Sequence, residues 1–153
     1  MKKNTLNLSL ILILMLSFIA CEQDKSEVKQ LQKEFDTTME ETIKIHDEVM
    51  PRMVEINELL TELDIRSKKK DTVGFKENTE QLESAHKEMM SWMKSFSASF
   101  DRHEVNSGIT TENIEELKAK NKLVEEYKAS AEKMKDNVDK SITEGIDFIK
   151  NFK

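Results

Sequence analysis

Two histidines and the methionines around them form the cluster in this sequence that could bind a metal ion. Each histidine lies near the middle of a predicted apolar helical stripe, with methionines one or two turns away. Thioether sulfur and imidazole nitrogen together favour cuprous copper. One hypothesis is therefore a copper(I) site built from His46, Met50, Met53, His86, Met89, Met90 and Met93.

The alternative is that these side chains only pack in a core. Methionine fills irregular gaps well, and Met39 adds a further sulfur next to the same stretch. In a helical hairpin that turns near residue 70, His46 lies level with Met93, and His86 lies level with Met53. The two levels are roughly 10 Å apart at 1.5 Å per residue, so the imidazoles cannot share one ion. We favour the packing interpretation.

Signs of enzymatic chemistry are weak in this chain. Glu83 and His86 have the Glu-x-x-His spacing of di-iron bundles, but such sites need a second copy of the motif, which the sequence does not contain. The sequence also has no HExxH motif, no glycine-rich phosphate loop and no nucleophile with an adjacent base. We therefore expect no catalytic residues and no enzyme.

The elements that carry these residues are predicted to be helices. Three glycines, one proline and 35% charged residues leave few places for strands and turns. Apolar residues recur at three- and four-residue steps and predict an all-α, up-down-up bundle of three long antiparallel helices over residues 26–153. The predicted helices are 26–66, kinked just before Pro51, then Phe75–His103, and a third that ends near Asn151 after a cap at Thr110 or Thr111.

The first 21 residues have the layout of a secretory signal. Lys2 and Lys3 precede a short apolar run, which ends at Ala20 and is followed by Cys21, the single cysteine of the chain. The run is shorter than the roughly 20 apolar residues of a membrane span. Ile19, Ala20 and Cys21 resemble the lipobox of bacterial lipoproteins. That resemblance implies a signal peptide of residues 1–20, a lipidated (palmitate-bearing) Cys21 and a tether of residues 21–25.

Charge excludes one class of partner. The whole chain has a formal net charge of −6, and removal of the predicted signal takes away two lysines and no acid, which leaves −8. Nucleic-acid binding needs clustered basic side chains, and the single basic run is Lys68 to Lys70. We expect a membrane contact through the lipid, no nucleic acid, and a protein partner that the sequence does not identify.

A family resemblance supports the same location. The stretches His46 to Pro51 and Met89 to Met93 resemble small predicted lipoproteins of Bacteroidota, some of which have the label "viral A-type inclusion protein". The resemblance implies an envelope protein with a helical hairpin, anchored in the outer membrane and facing either the periplasm or the outside. It implies no activity. The sequence thus predicts a non-enzymatic structural or interaction module, with copper(I) binding as the alternative.

Overall fold

Helices are the only regular elements in the part of the chain that the structure describes. The structure is a computed structural model, which describes the backbone of residues 3–68 and 73–152 and the side chains of residues 25–68 and 74–152. The helices are α1 (Lys3–Val49), α2 (Arg52–Ser67), α3 (Val73–Ser99), α4 (Arg102–Ser107) and α5 (Ile114–Asn151). They pack on one another, so the predicted all-α class is confirmed.

The predicted signal peptide and Cys21 lie outside the residues whose side chains are described, as does most of the predicted tether. Within the described residues, no helix combines the length and the apolar character that crossing a bilayer requires.

Pro51 separates α1 from α2. Its ring nitrogen has no hydrogen to donate to the carbonyl of Asp47, so the regular helical ladder stops there. The chain stays close to helical, with φ −61° and ψ −29° at Pro51, while Met53 donates its N–H to the Met50 carbonyl at 3.2 Å. The predicted kink is therefore present, but it lies at residues 50–51 and divides the predicted first helix into two.

The predicted second helix was wrong at its C-terminal end. It stops at Ser99, and Asp101 begins the separate helix α4 in a part of the chain that was predicted as helix end and turn. Asp101 has extended backbone and accepts the N–H groups of His103 and Glu104, while the Glu104 carboxylate accepts the N–H of Asp101. This reciprocal capping box starts a new helix and so ends the old one.

The predicted cap of the last helix was also wrong. Neither Thr110 nor Thr111 is the N-cap, because the Asn113 carboxamide accepts the N–H of Glu116 at 3.1 Å and α5 begins one residue later, at Ile114. Thr111 supports the turn by hydrogen bonding to the Glu116 carboxylate at 2.8 Å. Asparagine and threonine both cap helices well, so local geometry decides between them.

The core lies along one stripe of α5. This helix packs against α1, α2 and α3, and α2 also packs against α3. Every seventh residue of the stripe is buried, and the residues are Leu117, Val124, Ala131, Val138 and Gly145. The fully buried side chains that meet this stripe include Phe35, Ile56, Leu63, Leu82 and Met89.

Ion pairs line the contact between α1 and α5. Glu27 meets Lys118 at 2.9 Å, Glu41 meets Lys128 at 2.6 Å, and Glu48 meets Lys135 at 2.7 Å. The hydrogen bond from Lys135, followed by its charge, lowers the pKa of the Glu48 carboxyl below its ordinary value. Such exposed pairs contribute modestly and are screened by salt.

We expect Lys135→Gln to lower the melting temperature near neutral pH, with a smaller loss at about pH 3. A carboxyl whose pKa is depressed in the folded state stabilises the fold above its ordinary pKa of 4.5, and the contribution is lost as pH falls through the lower folded value. Thermal unfolding by circular dichroism at both pH values measures this.

Lys140→Gln is the matched control on the same helix, since Lys140 meets Glu144 only at 3.9 Å and is well exposed. A Lys135→Gln deficit that is just as large at low pH would show that the lysine acts through packing and not through this pair.

Candidate ligand-binding cleft

A cleft of about 480 Å³ opens between the C-terminal part of α1, the C-terminal part of α3 and the short helix α4. We call it the histidine cleft. The residues that define it are His46 and Asp47 of α1, Trp92, Met93 and Phe96 of α3, and Val105 of α4. Its volume lies within the range of known small-molecule sites, roughly 300–1,000 Å³.

One wall of the histidine cleft is a row of aromatic rings. Trp92 and Phe96 are four residues apart and lie on the same face of α3, and Phe100 continues the row directly after the helix ends. The Trp92 and Phe96 rings are nearly parallel, with centroids 4.9 Å apart, and Phe96 and Phe100 are 5.1 Å apart. The indole N–H donates to the Ser130 hydroxyl at 2.9 Å. Ring packing and this hydrogen bond hold the wall in place.

His46 stands against this wall with one nitrogen unsatisfied. Its ring lies nearly parallel to the Trp92 ring, with centroids 6.0 Å apart, and its Nδ1 lies 2.9 Å from the Asp47 carboxylate. A carboxylate can only accept, so Nδ1 carries the hydrogen and Nε2 of the neutral ring has a free lone pair. Nε2 is buried and has no hydrogen-bond partner among the described residues.

Helix α4 closes the cleft and is held at two points. The Glu104 carboxylate pairs with Lys120 of α5 at 2.6 Å, and both side chains are largely buried. After α4, the N–H of Ile109 donates to the Asp36 carboxylate of α1 at 3.1 Å. The pKa of the Asp101 carboxyl lies below its ordinary value, mainly because the backbone N–H of Glu104 donates a hydrogen bond to it. These contacts tie the short helix to α1 and α5.

The structure brings together only two of the seven predicted metal ligands. His46 and Met93 line the same cleft. Met53 and Met89 are buried in the core, Met50 and Met90 are 48% and 57% exposed, and His86 is half-buried outside the cleft. Among the described residues, no three His, Cys, Asp or Glu side chains converge as a metal site would require.

Sequence reasoning missed the other half of the cleft. The apolar pattern of residues 92–100 did not indicate that α4 would return over these rings. The signal for α4 was the spacing of Asp101 and Glu104, which is that of a capping box. His103 was predicted at the C-terminal end of the second helix, and this was wrong: it lies in the first turn of α4, where it is exposed.

Comparison with known proteins gives no match: no protein-family model, no curated protein and no solved structure is similar to this chain. What the histidine cleft can bind must therefore be inferred from the residues that line it. Aromatic and aliphatic side chains lie beside the His46 imidazole and the Met93 thioether, and Asp47, Asp101 and Arg102 add charged groups. This arrangement can bind a ligand, and it supplies no nucleophile beside a base.

Gly108 connects α4 to the anchoring contact with Asp36, and its backbone has φ 84° and ψ 174°, a region almost restricted to glycine. A Cβ there would lie 2.5 Å from the Asp36 carboxylate. We expect Gly108→Ala to lower the free energy of unfolding by about 1–3 kcal/mol, measured by urea denaturation.

Gly145→Ala is the control, because this glycine has no unusual φ and its Cβ would make ordinary contacts with Leu82 and Leu59, the nearest at 3.4 Å. Alanine costs less entropy in a helix interior, so this change should stabilise the protein by about 0.5–1 kcal/mol. Equal effects of the two substitutions would contradict the role assigned to Gly108.

Proposed function

We propose that this protein is a lipid-anchored helical-bundle lipoprotein of the bacterial outer membrane, acting as a non-enzymatic structural or interaction module. The observation that carries the proposal is the position of Cys21. It is the single cysteine of the chain, it directly follows the apolar run, and the strongly polar stretch Glu22 to Lys25 comes immediately after it. Each buried acyl methylene contributes about 0.8 kcal/mol, so two or three chains anchor the protein stably.

We further propose an up-down-up order for the bundle, with α1 and α2 acting as one kinked rod beside α3 and α5. Residue numbers of paired side chains rise together between α1 and α5, as in Glu41 with Lys128 and Glu48 with Lys135. They change in opposite directions between α3 and α5, as in Trp92 with Ser130 and Glu88 with Asn137. These pairings support a parallel and an antiparallel contact, respectively.

Exposed apolar side chains support an interaction role for this bundle. Met50 and Val54 lie one turn apart on either side of Pro51 and are 48% and 60% exposed, and Met90 of α3 is 57% exposed. Covering such side chains with a partner stabilises the complex by about 25 cal/mol per Å² of apolar surface removed from water.

Lipidation can be tested with radiolabelled palmitate and mass spectrometry of the membrane-extracted protein. We expect label in the natural protein, a mature chain that begins at an acylated Cys21, and no label in Cys21→Ser. Ser17→Ala is the control, because it changes the same segment and keeps the thiol. A mature protein that begins elsewhere with a free thiol would show that the anchor is wrong.

Copper(I) binding is the second candidate function, and one observation favours it. His46 and Met93 line the same cleft, and the His46 Nε2 lone pair has no partner among the described residues. These two side chains would supply one imidazole nitrogen and one thioether sulfur, both suitable for cuprous ion. The larger seven-residue cluster is not needed for it.

A competition titration against a cuprous chelator tests this candidate. Copper binding predicts submicromolar affinity that falls at least tenfold in His46→Phe and in Met93→Leu, a loss of about 1.4 kcal/mol or more. Met90→Leu, an exposed methionine on the same helix, should change nothing. Affinity no tighter than micromolar, or affinity unaffected in the double variant, would exclude the copper function.

A further inference from the structure

The histidine cleft has features besides the nitrogen and sulfur atoms that could bind copper. Its long wall is made of aromatic rings, and its single buried unsatisfied polar atom is the Nε2 of His46. We propose that the cleft binds a small, neutral, planar aromatic molecule with a hydroxyl or N–H group, which donates a hydrogen bond to His46 Nε2. This inference rests on the cleft alone and does not depend on the lipid anchor.

The shape of the cleft fits such a ligand. A volume of about 480 Å³ is enough for a ligand with one ring or two fused rings, and the lining combines apolar and polar side chains in equal number. Trp92 and Phe96 are stacked on each other and only 7% and 5% exposed, so a ligand ring would meet mainly their edges, in the edge-to-face arrangement that aromatic pairs favour. Ile43 and Val105 add aliphatic surface on the α1 and α4 sides.

The hydrogen bond that His46 already makes determines which ligand group its other nitrogen can bind: a hydrogen-bond donor. Asp47 holds the hydrogen on Nδ1, so Nε2 can only accept in the neutral ring. A buried acceptor without a partner is unfavourable, and a ligand hydroxyl or N–H would remove that cost. Nε2 is buried, so a ligand group reaches it only if a neighbouring side chain moves, and the flexible Met93 side chain lines the same cleft.

Charges at the rim select against an anion. Asp47 and Asp101 provide two carboxylates, while Arg102 provides one guanidinium. A ligand carboxylate would therefore enter a region of net negative charge, whereas a phenol or an indole-like compound would not. This distinguishes a neutral aromatic alcohol or amine from an aromatic acid.

The test uses the full chain, whether it is isolated from membranes or from the soluble fraction, with ¹³C-methyl methionine as the NMR reporter. We expect 2-naphthol to shift the Met93 methyl signal in a saturable way and to leave Met90, which is on the same helix but faces solvent, unchanged. Met93→Leu assigns the signal, and 2-naphthoate should bind more weakly. A response that is not saturable, or that is equal at both methionines, would overturn the proposal.

Removal of either hydrogen-bonding partner isolates the contact to Nε2. We expect 2-methoxynaphthalene, which lacks the donor, to bind the natural protein about fivefold more weakly than 2-naphthol, which is the effect of one net hydrogen bond. His46→Phe keeps a flat ring and should weaken 2-naphthol by the same factor while leaving 2-methoxynaphthalene unchanged. His86→Phe, outside the cleft, is the control.

A blocking variant covers the case in which His46→Phe does not fold. Ser97 is exposed and lines the cleft, so Ser97→Trp should exclude both naphthalenes while keeping the helical circular dichroism signal. Equal binding of 2-naphthol to the natural protein and to Ser97→Trp would overturn the proposal. A Met93 shift with cuprous ion but none with 2-naphthol would also overturn it, in favour of the copper function.

Discussion

The apolar stripe of α5 is the surface on which the whole structure depends. Burial at every seventh residue from Leu117 to Gly145 keeps one face of the helix against its neighbours over its full length. Small residues at Ala131 and Gly145 let partners approach closely, and Leu82 and Leu59 lie within 3.6 Å of where a Gly145 side chain would be. Because α1, α2 and α3 all pack on α5, each of them buries part of its apolar face against this stripe.

The ion pairs between α1 and α5 determine how the two helices align along each other, and they contribute little to the free energy of folding. Their carboxylates and ammonium groups are exposed, so each gains little in water. A shift of one helix by a single turn would separate Glu41 from Lys128 and Glu48 from Lys135, which lie 2.6 Å and 2.7 Å apart. The buried stripe stabilises the bundle, while the pairs favour one alignment of it. That alignment in turn places His46 opposite Trp92.

Much of this fold could be predicted from local patterns, and the parts that could not are decided by tertiary contacts. Apolar periodicity was enough to predict an all-helical chain and the end of α5, and the chemistry of Pro51 was enough to predict a kink next to it, though not a division into two helices. It could not predict α4, because Asp101 forms its capping box only if the chain turns there, and Lys120 of α5 is needed to pair with Glu104. The same limit applies to the cleft: the hairpin register placed His46 level with Met93, but the closing helix depends on Asp36 accepting the N–H of Ile109.

Local rules are broken close together in this molecule, and that supports a function for this region. Most buried polar atoms in proteins have partners, yet His46 Nε2 has none among the described residues. Four residues after His46, the helix is interrupted at Met50 and Pro51. Across the cleft, α3 stops at Ser99 and the short helix α4 follows, where the apolar periodicity predicts that the second helix continues to His103. Sequences usually agree with their structure at every level, and the exceptions concentrate at functional sites. A core that only needed to be stable could place phenylalanine at position 46, so the imidazole points to a ligand.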